Sequence, residues 1–213
     1  MGSSRDRIRE QIAECAPPSY ACDSVRAQII EAAQQRFANW GFTKTTMAEI
    51  ASDLGMSAAN LYRYFDNKQD IVAACATRCI GERIEALTRV VAEAAPSAAD
   101  KLLAYVLASL RNTREVVAEQ PRINEMVETI TELRPDIVHW KIEAECRLLE
   151  ALLAQGNASG EFQVADVPRT ACAIQAALVK FHLPLFMGLF SPEEQEQQAR
   201  DVVALLLRGL EKR

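Results

Sequence analysis

The chain has 213 residues, of which 49% are apolar and 25% charged, and a net charge of −5. This composition excludes a disordered or low-complexity chain. With no apolar run of the ~18 residues a membrane helix needs, it gives no sign of a spanning segment, so the expected address is the cytoplasm. Lys+Arg minus Asp+Glu is −1 over residues 1–23, +1 over 24–68 and −5 over 69–213, so the acidic excess belongs to the C-terminal part. A nucleic-acid partner for the weakly basic segment would depend on where a few cations are placed.

Residues 1–23 lack apolar periodicity and contain Pro17-Pro18, which blocks a continuous helix. They read as an N-terminal arm whose Arg5, Arg7 and Arg9 either fray in solvent or reach a minor groove. From Ser24 to Trp40 a first helix is expected, with Ile29, Ala33 and Phe37 on its buried face and Gly41 at its end. Thr46-Met47-Ala48-Glu49 has the form of a capping box, in which Thr takes the Glu N–H and Glu reaches back. A short helix follows with Met47, Ile50, Ala51 and Leu54 in phase, then Gly55 at a turn and Ser57 as the next cap. The second helix carries Leu61 and Phe65 on one face. Two short helices joined by a tight glycine turn describe a helix-turn-helix, whose second helix can enter a major groove.

Asn67 caps a long helix running to about Ala94, ~40 Å at 1.5 Å per residue. Helices are then expected over Ala98 to Glu119, from Pro121 to about Leu133, and from Pro135 to Gln155. Gly156 to Gly160 reads as a loop. Asp166 starts a helix striped with Ala171, Ile174, Leu178, Phe181 and Leu185, which Pro184 should kink. Ser191-Pro192-Glu193-Glu194 opens the last helix, ending near Leu210. No strand-like alternation of useful length appears.

The run Gly41-Phe42-Thr43-Lys44-Thr45-Thr46, with Ile50-Ala51, Gly55-Met56-Ser57, Leu61-Tyr62-Arg63-Tyr64-Phe65 and Lys68, closely resembles the DNA-binding domain of the TetR family of bacterial regulators. The resemblance spans roughly residues 24–75 and fixes several residue types over a long register. It departs from the common family pattern at Ala59 and Asn60, which bears on the operator and leaves the fold reading intact. The expected fold is all-α, with about nine helices. An N-terminal three-helix helix-turn-helix DNA-binding domain, residues 24–72, joins through the continuous long helix to a C-terminal helical domain, residues 73–213. The resemblance gives that second domain ligand binding and dimerisation. The implied function is a ligand-responsive repressor that binds a pseudo-palindromic operator as a homodimer and is released by a small-molecule effector.

Candidate residues follow. Thr45, Thr46, Tyr64 and Lys68 supply donors near the ends of the helix-turn-helix, where phosphate contacts set register. Ser57, Ala58, Asn60 and Arg63 lie outward for base reading, and Tyr62 suits either the groove or the seam with the long helix. Leu107, Met126, Ile130, Trp140, Cys146, Phe181 and His182 are candidate effector lining. The broad apolar stripes of the last two helices, with small residues such as Ala173 and Ala177 beside Val202, Leu206 and Leu210, are the candidate dimer interface. Glu125, Glu128, Glu132, Glu143 and Glu145 either face water or favour a cationic effector. No nucleophile–base pair, phosphate loop or metal cluster stands out, so no catalytic residue, cofactor or metal is expected. An all-helical enzyme is the remote alternative. The six cysteines, without a C-x-x-C pair, leave a thiol-based redox or metal sensor on the same fold as the nearer one.

Overall fold

The computed structural model describes residues 24–211, so the arm, with Arg5, Arg7, Arg9, Cys15 and Cys22, lies outside the described residues. Among these residues are ten α-helices and one 3-10 turn: α1 Ser24–Trp40, α2 Met47–Asp53, α3 Ala58–Leu61, α4 Lys68–Ala92, α5 Ala98–Glu119, α6 Ile123–Leu133, α7 Pro135–Ser159, α8 Val167–Ala177, α9 Val179–His182, the turn Pro184–Phe186, and α10 Pro192–Leu210. The β content of the same residues is a single isolated bridge between Phe162 and Glu211. The all-α expectation holds.

Most helix starts follow local chemistry. Thr46 Oγ1 accepts from the Glu49 N–H at 3.3 Å while Glu49 Oε2 accepts from the Thr46 N–H at 2.8 Å, completing the capping box. Ser191 and Glu194 repeat it at α10, and Asp166 caps α8 through the Arg169 N–H. Asn67 Oδ1 takes the Asp70 N–H at 2.8 Å at the start of α4. Each cap satisfies an otherwise orphaned donor of the first turn.

Two expectations are corrected. Residues 156–159 are not a loop: α7 continues to Ser159. Gly156 lies buried inside that helix because a Cβ there would collide with the Phe162 ring, so this glycine permits a close approach. Nor does a single kinked helix follow Asp166. The chain caps α8 at Leu178, ends α9 at His182, and passes through an extended Leu183 (φ −105°, ψ 125°) into Pro184. The residue before a proline is driven out of the helical region, so the break falls before Pro184.

The chain packs as two compact units. Among the described residues, the first comprises 24–81 and 116–140. Its core joins Ile29, Ala33 and Phe37 of α1 to Ile50 of α2, Leu61 and Phe65, Ile71 of α4, and Ile123, Met126 and Ile130 of α6. The second comprises 82–115 and 141–211. Its buried residues include Leu87 of α4, Leu102 and Leu110 of α5, Leu148 and Leu152 of α7, Ile174 of α8, Phe181 of α9 and Val203 of α10. Each unit is discontinuous in sequence. The apolar stripe of α6 is what draws 116–140 to the helix-turn-helix.

Among the described residues, no helix is long and apolar enough to cross a membrane.

Candidate functional site

Gly41 ends α1 with φ 85°, a left-handed conformation open to glycine and disfavoured for residues with a Cβ. A Cβ there would also strike the Glu125 carboxylate of α6. Glu125 Oε1 accepts from the Thr43 N–H at 2.8 Å and the Thr43 hydroxyl at 3.0 Å, which ties the α1–α2 loop to α6. Its hydrogen bond from the Thr43 backbone, foremost, lowers its pKa below the usual carboxylate range.

Lys68, at the start of α4, closes the same loop from the other side. Its Nζ donates to the carbonyls of Phe42 and Thr45, both at 2.7 Å, and lies 4.2 Å from the Phe42 ring centroid. Burial, chiefly, lowers its pKa, opposed by Glu125 and Glu49. Two of its three N–H groups therefore serve the protein's own backbone. Thr45 is corrected outright as an outward donor: it is 1% exposed and its hydroxyl donates to the Gly41 carbonyl at 2.8 Å. Thr46 is exposed but occupied in its capping box.

Between the two helices Gly55 takes φ 64°, and the Met56 N–H donates to the Ala51 carbonyl at 3.0 Å. Ser57 caps α3 by accepting from the Asn60 N–H at 3.2 Å. The short α3 continues as turns to Phe65, and Leu61 and Phe65 anchor it in the core. Arg36 of α1 holds α2 by donating to both Asp53 oxygens, with Glu49 a further 3.5 Å partner. Ser57, Tyr62 (51% exposed) and Arg63 are left outward, Ala58 and Asn60 are half-buried, and Tyr64 packs partly on the core. An exposed Arg, Tyr and Ser on a braced helix can meet base edges and phosphates.

The seven candidate lining residues do not share one unit. Met126 and Ile130 are core of the helix-turn-helix unit and Trp140 packs against that core, whereas Leu107, Cys146, Phe181 and His182 belong to the second. The acidic residues divide as well. Glu128, Glu132 and Glu143 face solvent, Glu125 is the latch above, and Glu145 is 0% exposed.

Glu145 is the centre of a buried ionic cluster that sequence reasoning passed over. Its Oε1 accepts from Arg83 Nε at 3.3 Å and pairs with Lys141 Nζ at 3.0 Å; its Oε2 accepts from Gln175 Nε2 at 3.1 Å. His182 Nδ1 lies 3.3 Å from Oε2 without the alignment of a hydrogen bond, and Nε2 has no partner in the chain. Arg83 also donates to the Thr113 hydroxyl at 2.9 Å, to Asn112 Oδ1 at 3.3 Å and to the Ser109 hydroxyl. Burial pushes the Glu145 carboxyl upward, but His182, Lys141 and Arg83 outweigh it and hold it well below the usual range. Burial lowers the His182 pKa, with Glu145 opposing. One signal was available in the sequence: Glu145 repeats in phase with buried Leu148, Leu149 and Leu152, and Arg83 with Leu87.

Burial pushes the Cys75 and Cys146 thiols up to about 12, with the neighbouring Cys172 adding to the shift at Cys146. Neither is a thiolate at neutral pH, which disfavours them as reactive redox centres. Among the described residues, no group of three or more His, Cys, Asp or Glu is placed to hold a metal ion.

Ala173, Ala177 and Leu205 are exposed, the last at 67%, and Val202 and Leu206 half-buried. Leu210 is corrected as a partner contact: it is buried by its own chain, and its carbonyl accepts from the Gln163 N–H at 2.9 Å.

Comparison with known proteins places these features. Residues 29–75 match the family profile described as bacterial regulatory proteins, tetR family, and residues 98–203 match that of the tetracyclin repressor-like C-terminal domain. The chain is 31% identical over 160 residues to the probable HTH-type transcriptional regulator ArpR of Pseudomonas putida, covering 71% of this chain and 75% of that protein. It is 30% identical, over the same shares, to the HTH-type transcriptional regulator TtgR, also of Pseudomonas putida. In fold it is similar to a transcriptional regulator from Cytophaga hutchinsonii, with a TM-score of 0.69 at 23% identity, covering 89% of this chain and all of that one.

Proposed function

This chain belongs to the TetR family of bacterial transcriptional regulators, and from that premise we propose that it is a ligand-responsive repressor acting as a homodimer on a pseudo-palindromic operator. The observation that carries this reading is the braced α3 turn, with Leu61 and Phe65 buried beneath and Ser57, Tyr62 and Arg63 outward. Arg63 offers two parallel donors that suit guanine, Ala58 a methyl for thymine, and Asn60 an amide for adenine. Tyr62, Tyr64, Thr46 and the remaining N–H of Lys68 serve the phosphates. Such a protein works where the DNA is, in the bacterial cytoplasm.

The second copy docks on apolar residues of α8 and α10: the exposed Ala173, Ala177 and Leu205 with the half-buried Val202 and Leu206. A two-fold pair presents its α3 turns to half-sites about one helical turn, ~34 Å, apart. The effector enters the second unit and favours a conformation in which that spacing is lost; repression ends by population shift, to the extent that the effector prefers that state. Helices α4, α5 and α7 contribute residues to both units and supply the covalent route. The Glu125–Thr43 latch then carries movement of α6 to the loop before α2.

A mobility-shift and sedimentation experiment on the full chain tests this, using DNA from upstream of its own gene. The wild-type chain is expected to sediment as a dimer and bind with a steep salt dependence. Arg63→Ala should weaken specific binding by roughly 10-fold or more, as loss of a bidentate base pair does, at unchanged thermal stability. A monomer that binds no such fragment would reject the proposal.

A further inference from the structure

The helix-turn-helix stretch, residues 24–68, holds five basic side chains: Arg26, Arg36, Lys44, Arg63 and Lys68. Three are engaged within the protein. Arg36 pairs with Asp53 and Glu49, Lys68 donates to the carbonyls of Phe42 and Thr45, and the Arg26 guanidinium lies 5.1 Å from the Phe65 ring centroid. Among the described residues, Lys44 and Arg63 are the two of these five with no ion pair, hydrogen bond or ring contact, and both are exposed. Arg63 belongs to the α3 turn, the base-reading element. Lys44 lies elsewhere, on the α1–α2 loop. An exposed lysine by itself is ordinary; the backbone around this one is not.

The chain on either side of Lys44 is pinned. Residues 42–44 form a turn, closed by the Thr45 N–H donating to the Phe42 carbonyl at 3.3 Å. Before Lys44, Thr43 gives its N–H and its hydroxyl to Glu125 Oε1, at 2.8 and 3.0 Å. After it, Thr45 is 1% exposed and its hydroxyl donates to the Gly41 carbonyl at 2.8 Å. Lys68 Nζ holds the Phe42 and Thr45 carbonyls from α4, and Thr46 begins the capping box of α2. All of these groups belong to one compact unit. In a helix-turn-helix the first helix crosses the DNA backbone while the second enters the groove. A cation on the loop leading into α2 therefore belongs with the element that meets phosphates. With the backbone fixed beforehand, only the Lys44 side chain has to be ordered on binding, which keeps that cost low.

We propose that Lys44 is a phosphate-binding residue for operator DNA, and that Glu125 is the positioning residue that holds it in place through Thr43. This deepens the operator-binding reading and rests on it. Charge and geometry give opposite signs at Glu125. Removing a negative charge from a unit that meets a polyanion by itself favours binding. Removing the two bonds that Glu125 accepts frees the loop and weakens the Lys44 contact. Glu125→Gln separates the two effects, because the amide carbonyl still accepts from the Thr43 N–H and hydroxyl while the charge is gone.

The test titrates the full chain, over a series of salt concentrations, with the duplex from upstream of its own gene and with a scrambled duplex of equal length. Lys44→Met should lower the slope of log affinity against log salt by about 1 for each copy bound. Both duplexes should lose affinity by the same factor, because a phosphate contact reads no sequence, and Tm should stay at the wild-type value. Glu125→Ala, read well below its own Tm, should show the same loss of slope with Lys44 still present. Glu125→Gln should keep the wild-type slope and bind at least as tightly as wild type. In the Glu125→Ala background, Lys44→Met should change affinity little further, since the two residues act as one unit. An unchanged slope in Lys44→Met, a loss confined to the upstream duplex, or Glu125→Ala binding as tightly as Glu125→Gln would each overturn the proposal. A wild-type chain with no preference for the upstream duplex rejects the repressor reading itself, whereas a kept preference with an unchanged Lys44→Met slope rejects only the lysine contact.

Discussion

Glu125 and Glu145 are two carboxylates on consecutive helices, each holding several donors, and the two regions around them obey different rules. Glu125 sits half-exposed at the rim of the helix-turn-helix unit, where it gathers the backbone and hydroxyl of Thr43. Glu145 lies fully buried in the second unit and gathers side chains from α4, α7 and α8, with α9 alongside. At the rim water can replace a lost partner, so a carboxylate there fixes geometry more than it adds stability. In the core nothing replaces a lost partner, so charge and hydrogen bonds must close among themselves or with a guest.

Breaking the buried pair should therefore have the largest effect. Glu145→Ala leaves Arg83 and Lys141 without their carboxylate and is expected to destabilise the chain by roughly 3–5 kcal/mol in chemical denaturation. Replacing all three charges, Arg83→Met and Lys141→Met with Glu145→Leu, should recover most of that loss; a triple variant as unstable as Glu145→Ala would show that charge balance is not what matters there.

Gly41→Ala comes next. It places a Cβ at φ 85° and against Glu125, and the left-handed conformation alone disfavours alanine by about 1–2 kcal/mol. In a Glu125→Ala background the collision disappears and only the conformational part should remain, which a double-mutant cycle reads directly. Equal losses in both backgrounds would dismiss the latch as a close contact.

Lys68→Met sharpens the comparison at the rim. It removes two donors from the Phe42 and Thr45 carbonyls and should lower stability by about 1 kcal/mol. If the remaining N–H also meets a phosphate, the salt slope of DNA binding falls by about 1 as well; a lower slope at full stability would contradict the loop role.

The smallest effect is in pH. The folded-state pKa of His182 lies below its unfolded value, so the unfolded chain binds the proton first and stability falls as pH drops below about 6.5. His182→Gln should flatten the stability profile below pH 6.5. Glu125, whose pKa is lowered, contributes stability that is present above the unfolded value of 4.5 and lost as pH falls through its folded value, so its loss belongs to a lower window. A profile that His182→Gln leaves unchanged would place the titration elsewhere.

The sequence by itself determined what acts within a few residues. The capping boxes at Thr46 and Ser191, the turn at Gly55, the Ser57 cap and the helix over Ala98–Glu119 are all written as local spacings. So is the long register from Gly41 to Lys68 that marks the family. Periodicity says that a side of a helix is buried but not against what. Only the tertiary structure decided that α6 joins the helix-turn-helix, that Gly156 seats Phe162, and that Glu145 closes on a cation from 62 residues away. Local hydrogen bonds are fixed by neighbours along the chain, whereas burial and charge pairing are fixed by neighbours in space.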